Sequence, residues 1–266
     1  MNYVIKRFAR ATVLMGGLFL VASCSTPKDV TYFQDVKETV LPVVAGDGLI
    51  KIEPGDRVSV IVKSKDPALA DLYNLTVNTN RLGTAVSSPE GMSSYIVSKD
   101  GTIDFPVLGT LKVAGMTRSE LAGFITGELR AGHVRDAVVS VELMNASFSA
   151  MGEVKQPGRI PITKDRITIL EALSLAGDLD IQGRRDNITV IRQEDDGVHT
   201  YRLDLTNMGE LVQSPAYYIR QDDVVYVEPN DVKKRQTTVN GNNVLSWGFW
   251  VSVASLLTSI AVLIVK

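Results

Sequence analysis

The sequence predicts an α+β fold: two small β-rich units in tandem, closed by a long apolar segment. Three observations predict it. Short β-branched runs are punctuated by Gly and Pro. Twice the apolar period switches from two to helical behind a Thr-x-x-Glu capping box, at Thr117/Glu120 and at Thr168/Glu171. Residues 244–265 then carry no charge at all.

The chain opens with Lys6, Arg7 and Arg10 before an apolar run from Ala11 to Ala22, the layout of a secretory signal over 1–23. Val21-Ala22-Ser23-Cys24 is similar to the lipobox of bacterial lipoproteins, which makes Cys24 the expected lipidation site. An ordinary signal peptide with an incidental Cys and an uncleaved anchor helix are the alternatives. Residues 24–48 are polar with prolines and read as a tether.

The first folded unit is expected over 49–145. In IKIEPGDRVSVIV, Pro54 presets φ for a turn and Gly55 supplies φ > 0, while Val58, Val60 and Val62 alternate onto one strand face. Asp56, beside the turn Gly, is expected to bond local backbone rather than act as an acid. Residues 64–94 read as a short helix and a long surface loop.

Asp100-Gly101 then predicts a tight hairpin with positive φ at both central positions, setting Ile96 opposite Phe105 on a buried face. A run punctuated by Pro106, Gly109 and Gly115 follows. Met116 is placed to staple onto Leu121, and Leu121, Phe124, Ile125 and Leu129 form an apolar helix face that stops at Gly132. Ala137 to Met144 reads as a strand.

The second unit is expected over 146–229. Pro157-Gly158 predicts another type II turn, and Leu170, Leu173 and Leu175 a short helix stopping at Gly177. Gly109-x-Leu111-Lys112-x-x-Gly115 is echoed by Gly152-x-Val154-Lys155-x-x-Gly158, which suggests a β unit used twice. Asn187 to Arg192 supplies a strand, and Ile219-x-x-Asp222-Asp223-x-Val225-x-Val227 restates the opening turn with Gly replaced.

Residues 230–243 read as a polar linker. The uncharged 22-residue stretch 244–265 is long enough for a membrane helix, since a hydrocarbon core of about 30 Å needs roughly 20 residues. Trp247 and Trp250 suit an interface. Gly248, Ser252, Ser255 and Ser259 share one helical face, as scattered serines of a plain anchor or as a stripe for helix contacts or a lumen.

Composition narrows the function. Lys+Arg 28 against Asp+Glu 30 argues against nucleic acid as a partner. One cysteine excludes a disulfide framework within the chain. His133 and His199 lie far apart without ligand-spaced neighbours, so no metal, cofactor or catalytic centre is expected. Asp195-Asp196 and Asp222-Asp223 sit in turn contexts, not as a carboxylate pair flanking a glycosidic bond.

Two groups of residues carry a resemblance. Ile52-x-Pro54-Gly55-Asp56-x-Val58-x-Val60 with Asp100-Gly101-x-Ile103-x-x-Pro106-x-x-Gly109 and Gly115-Met116-Thr117 resembles the polysaccharide export domain of outer-membrane export lipoproteins. Gly152, Val154, Pro157, Gly158, Leu173, Ala176 and Gly177 resemble an SLBB domain, a β-grasp-like ligand-binding module. Asp178 stands where that family has a second Gly.

The resemblance implies a periplasmic body, a homo-oligomeric ring passing capsular or exopolysaccharide through the outer membrane, and an inner-membrane polysaccharide co-polymerase as partner. It also implies that the chain is not an enzyme. The other reading is a non-channel envelope lipoprotein that binds a soluble glycan or partner through the SLBB-like unit.

Overall fold

The computed structural model describes residues 30–36, 40–43, 46–74, 94–132, 134–194, 196–237 and 247–265, the final helix with side chains to residue 260. Val58, Val60 and Val62 lie on strand β1 (Arg57–Lys63), and all three are buried because successive strand side chains face opposite ways. β1 is the centre of an antiparallel sheet between β2 (Ser94–Ile96) and β5 (Val138–Leu143). Between β1 and β2 the short helix α1 (Pro67–Asp71) starts at Asp66, whose carboxylate accepts the Ala68 N–H at 3.0 Å. Residues 75–93, expected as a loop, lie outside the described residues.

β3 (Thr102–Phe105) and β4 (Gly109–Lys112) form a separate hairpin leading into α2 (Arg118–Gly132). The capping box forms as expected: the Thr117 N–H donates to Glu120 Oε2 at 2.8 Å and the Glu120 N–H donates back to Thr117 Oγ1 at 3.2 Å. Leu121, Ile125 and Leu129 are buried in the first core with Met116 packed against it, but Phe124 is exposed.

The Asp100-Gly101 hairpin differs from expectation. Gly101 has φ +75°, Asp100 does not share the positive φ, and the two flanking strands do not pair with each other. β2 pairs with β1 instead, with Ile96 opposite Arg57. Ile96 is therefore 65% exposed, and its neighbour Tyr95 turns inward to lie 5.5 Å from the buried Phe105 ring. A one-residue change of facing swaps every side chain on a strand, so the expected Ile96/Phe105 pair becomes Tyr95/Phe105.

The second unit is a five-stranded mixed sheet in the order β10-β9-β12-β6-β7. It comprises β6 (Ser147–Gly152), β7 (Gly158–Pro161), β9 (Gly183–Glu194), β10 (Gly197–Leu203) and β12 (Val224–Pro229), and β12 runs parallel to β6. A two-stranded pair, β8 (Ile167–Thr168) with β11 (Tyr218–Ile219), leads into helix α3 (Ile169–Leu175), and α4 (Met208–Leu211) follows β10. Thr168 and Glu171 complete the second capping box. Leu173 is buried, whereas Leu175 at the helix end is exposed.

Two expectations in this unit are corrected. Gly158 sits at φ +147° as the first residue of β7, not at the corner of a type II turn, which needs φ near +80°. The repeated β unit extends only to glycine φ signs and capping boxes. Leu111 lies in the β3–β4 hairpin, whereas Val154 makes one isolated bridge to Leu179.

Neither predicted linker is a free tether where it is described. The N–H groups of Phe33 and Gln34 donate to the carbonyls of Leu205 and Thr206 at 3.0 and 2.7 Å, and the Tyr32 hydroxyl donates to Asp178 at 2.7 Å. Residues 30–36 thus form a strap across the second unit. Past β12, the predicted polar linker begins with a helix, α5 (Asp231–Gln236), N-capped by Asn230 and tied back by Lys233 to Glu153 at 2.6 Å.

The C-terminal stretch forms α6 (Trp247–Val265), 19 residues without charge. The membrane span expected over 244–265 is not supported: among the described residues no helix is long and apolar enough to cross a membrane. The Ser252 and Ser259 hydroxyls donate to the carbonyls of Gly248 and Ser255 at 2.8 and 2.9 Å, so within the helix these hydroxyls are satisfied four residues back.

Candidate functional site: the junction between the two units

The first unit meets the second through its opening turn. Pro54 and Gly55 form that turn, with Gly55 at φ +96°. Asp56 is 1% exposed, and its Oδ2 accepts the Glu53 N–H at 2.8 Å, the local backbone bond expected of it. Its other oxygen was not anticipated: Oδ1 accepts from the Gln221 side-chain amide of the second unit.

Gln221 belongs to a matching turn. There Asp222 takes the place of Gly55 at φ +58°, and Asp223 Oδ2 accepts the Arg220 N–H at 2.8 Å. An Asp tolerates the left-handed region better than most residues, because its short polar side chain can bond locally. Asp223 also pairs with Arg192 through two bonds of 2.9 and 2.7 Å, with side chains 0% and 2% exposed. Arg192 further donates to the Tyr218 carbonyl at 2.8 Å. The sequence showed the Asp223 echo but gave no sign of its buried cation, which lies 31 residues upstream.

A second clamp forms behind α2. Arg118 reaches Glu142 Oε2 at 2.5 Å and Asp165 at 2.7 Å, and the Ile50 N–H donates to the Asp165 carbonyl at 2.8 Å. Arg118 is only 15% exposed, but both carboxylates are 53% exposed, so solvent still screens the two bridges. Beside Gln221 lies a cavity of about 360 Å³, also lined by Asp47, Lys51, Glu53, Tyr218 and Arg220 among others. Gly48 packs so closely on the Tyr218 ring that a Cβ there would lie 2.2 Å from ring carbon. The ring face is thereby covered, leaving the cavity's polar groups to meet any occupant.

The remaining motif residues are structural by position. Gly101 faces the Ala114 Cβ across a space with no room for its own. Pro106 and Gly109 bound the β3–β4 turn, where Val107 has φ +66° and is exposed. Gly115, at φ +86°, delivers the chain to the Thr117 cap. Around α3, Val154 bridges Leu179, Pro157 leads into β7, and Ala176 and Gly177 end the helix. Gly152 has φ +84°, and a Cβ on it would fall 2.1 Å from the Val227 carbonyl. Asp178 adopts φ +72°, a conformation natural to Gly, and its N–H donates to the Leu173 carbonyl, so the helix exit survives the substitution. Cys24 and His133 lie outside the described residues.

Electrostatics follow these contacts. The Gly209 and Met208 N–H groups hold the Asp35 carboxyl below its usual range. Burial and the bond to Asp178 push the Tyr32 hydroxyl up to about 12. The Thr117 backbone N–H lowers Glu120, and Lys164 followed by the Thr168 N–H lowers Glu171. His199 does have ligand-type neighbours after all: across the β9–β10 turn it meets Glu194 and Asp196, and Asp196 raises its pKa.

Residues 46–144 match the family described as polysaccharide biosynthesis/export protein, and residues 146–227 match the SLBB domain. The chain is 29% identical over 203 residues to the EPS I polysaccharide export outer membrane protein EpsA of Ralstonia solanacearum, covering 74% of this chain and 50% of that protein. It is 25% identical over 195 residues to the capsule polysaccharide export protein BexD of Haemophilus influenzae, covering 72% and 47%. The chain thus spans about half the length of these curated relatives. The chain thus carries a polysaccharide biosynthesis/export domain followed directly by an SLBB domain.

Proposed function

We propose that this protein is the outer-membrane component of a capsular or exopolysaccharide exporter. The observation that carries the reading is the ordered pair of domains, whose relatives bear the names of polysaccharide export proteins of the outer membrane. In this reading Cys24 is lipidated, the two domains stand in the periplasm, and copies of the chain close into a ring around the polymer. An inner-membrane polysaccharide co-polymerase delivers the chain to that ring. No catalysis is asked of it, since a conduit needs a wide hydrated path and not a reacting pair.

The geometry supports a rigid wall. Asp56–Gln221 and Arg118–Asp165 join the domains at two separate points. The strap and α5 both dock on the SLBB domain, so this domain lies towards the membrane in our reading. α6, largely exposed along its described length, is the segment proposed to pack against neighbouring copies. The test is the mass of the intact protein in mild detergent, beside Cys24→Ala and a deletion of 244–266. A discrete ring, and loss of surface polysaccharide when the gene is deleted, are expected. A monomer under every gentle condition sinks the conduit.

The junction cavity favours a second reading, in which a monomeric envelope lipoprotein holds a soluble glycan. Saturable binding of a short glycan to that monomer would establish it.

A further inference from the structure

The β9–β10 hairpin pairs Glu194 with Gly197, leaving two residues at its tip. Arg192 lies opposite His199 and Val190 opposite Tyr201. Alternation therefore puts Glu194, His199 and Tyr201 on the face that Val190 and Ile188 bury, at its far end where it meets solvent. Asp196 joins them from the turn. One ligand atom from each of Glu194, Asp196 and His199 lies within 4.8 Å of the others, and His199 Nε2 is 2.7 Å from Asp196 Oδ1.

We propose that Glu194, Asp196 and His199 form a binding site for a divalent transition metal of the zinc class, completed by water. An imidazole with two carboxylates suits such an ion better than calcium or magnesium, which take oxygen ligands almost alone. Tetrahedral zinc spaces its ligand atoms about 3.3 Å apart, given bonds near 2.0 Å. The ligand atoms lie within 4.8 Å of one another, so the widest pair must close by up to about 1.5 Å to reach that spacing.

The surroundings prepare the site. The Tyr201 hydroxyl donates to Glu194 Oε1 at 3.2 Å and fixes that carboxylate, leaving its second oxygen to turn to the metal. The Tyr201 ring stacks on His199 with centroids 6.3 Å apart. Two cations lie nearby: Arg192, opposite His199 but paired with the buried Asp223, and Arg220, 3.3 Å from Glu194 Oε1 and 61% exposed, which competes with the metal and can swing into solvent. This site is independent of the export reading.

The test is calorimetric titration of the full chain in detergent, after chelator treatment, with zinc and with calcium. One zinc per chain is expected, with no comparable calcium binding. His199→Gln and Asp196→Asn should each weaken zinc at least tenfold, with His133→Gln unchanged. Arg220→Gln removes a competitor and no ligand, so it should tighten zinc several-fold. The proposal is overturned if zinc does not bind, if His199→Gln binds it like the parent (an adventitious ion only), or if Arg220→Gln fails to tighten it. Circular dichroism identifies a variant that has not folded, and the Arg220 variant then decides.

Discussion

Gln221 of the SLBB domain donates its side-chain amide to Asp56 of the export domain, and both residues belong to turns of the same design. In each turn an aspartate accepts the N–H three residues back, at 2.8 Å, behind a residue with positive φ. One turn spends its spare carboxylate oxygen on the neighbouring domain, the other on a buried arginine. The domains are therefore expected to unfold together. Gln221→Ala with Arg118→Ala should split a single calorimetric transition into two, because linked units lose cooperativity when their shared contacts go. A single transition in the double variant would show that the junction rests on other contacts.

Arg192 and Asp223 allow a sharper measurement. Both are buried, so removing one partner leaves an unpaired charge in the core. Asp223→Ala is expected to cost about 3–5 kcal/mol, whereas replacing both partners with apolar residues costs much less. A denaturation series on the two single variants and the double reads this as a large coupling energy. Equal losses in the single and double variants would refute it.

Glycines offer a contrast between space and conformation. Gly152 has φ +84° and a carbonyl 2.1 Å from where a Cβ would stand, while Gly127 lies within α2 with nothing within 4 Å. Gly152→Ala should prevent folding or lower the melting midpoint severely. Gly127→Ala should stabilise by about 0.5–1 kcal/mol, because Ala costs less backbone entropy in a helix. Thermal melts of both variants check the opposite signs.

These cases show what the sequence could carry. Local signals were legible: both capping boxes, the Val58/Val60/Val62 face and the Pro54-Gly55 turn rest on residues within a few positions of one another. Pairing was not. The turn that joins them points to Ile96 against Phe105, but Arg57, 39 positions away in sequence, pairs with Ile96 and turns Tyr95 inward. The same holds at the junction, where Gln221 and Asp56 are separated by 165 positions. The Glu194/Asp196/His199 cluster escaped because its members approach only when β9 and β10 pair.

The strap was missed for another reason: polar composition and prolines hide contacts made by a few residues. Asp35 accepts the N–H groups of Met208 and Gly209 at 2.7 and 2.9 Å, and these bonds hold its pKa down. A depressed carboxylate contributes stability above its unfolded pKa, near 3.9, and that contribution is lost as pH falls through the folded value. Tyr32 acts at the other extreme. Its pKa is raised to about 12, so its contribution is complete below about 10 and lost as pH climbs towards 12. Strap docking should therefore hold from about pH 4 to about 10 and weaken at both ends. Amide exchange at Phe33 and Gln34, whose N–H groups bond Leu205 and Thr206, reports this directly. Asp35→Asn should raise their exchange at pH 7 and remove the acid limb, while Tyr32→Phe should remove the alkaline limb. Exchange insensitive to both substitutions would mean the strap is held by the packing of Phe33 and Leu41 on the second core alone.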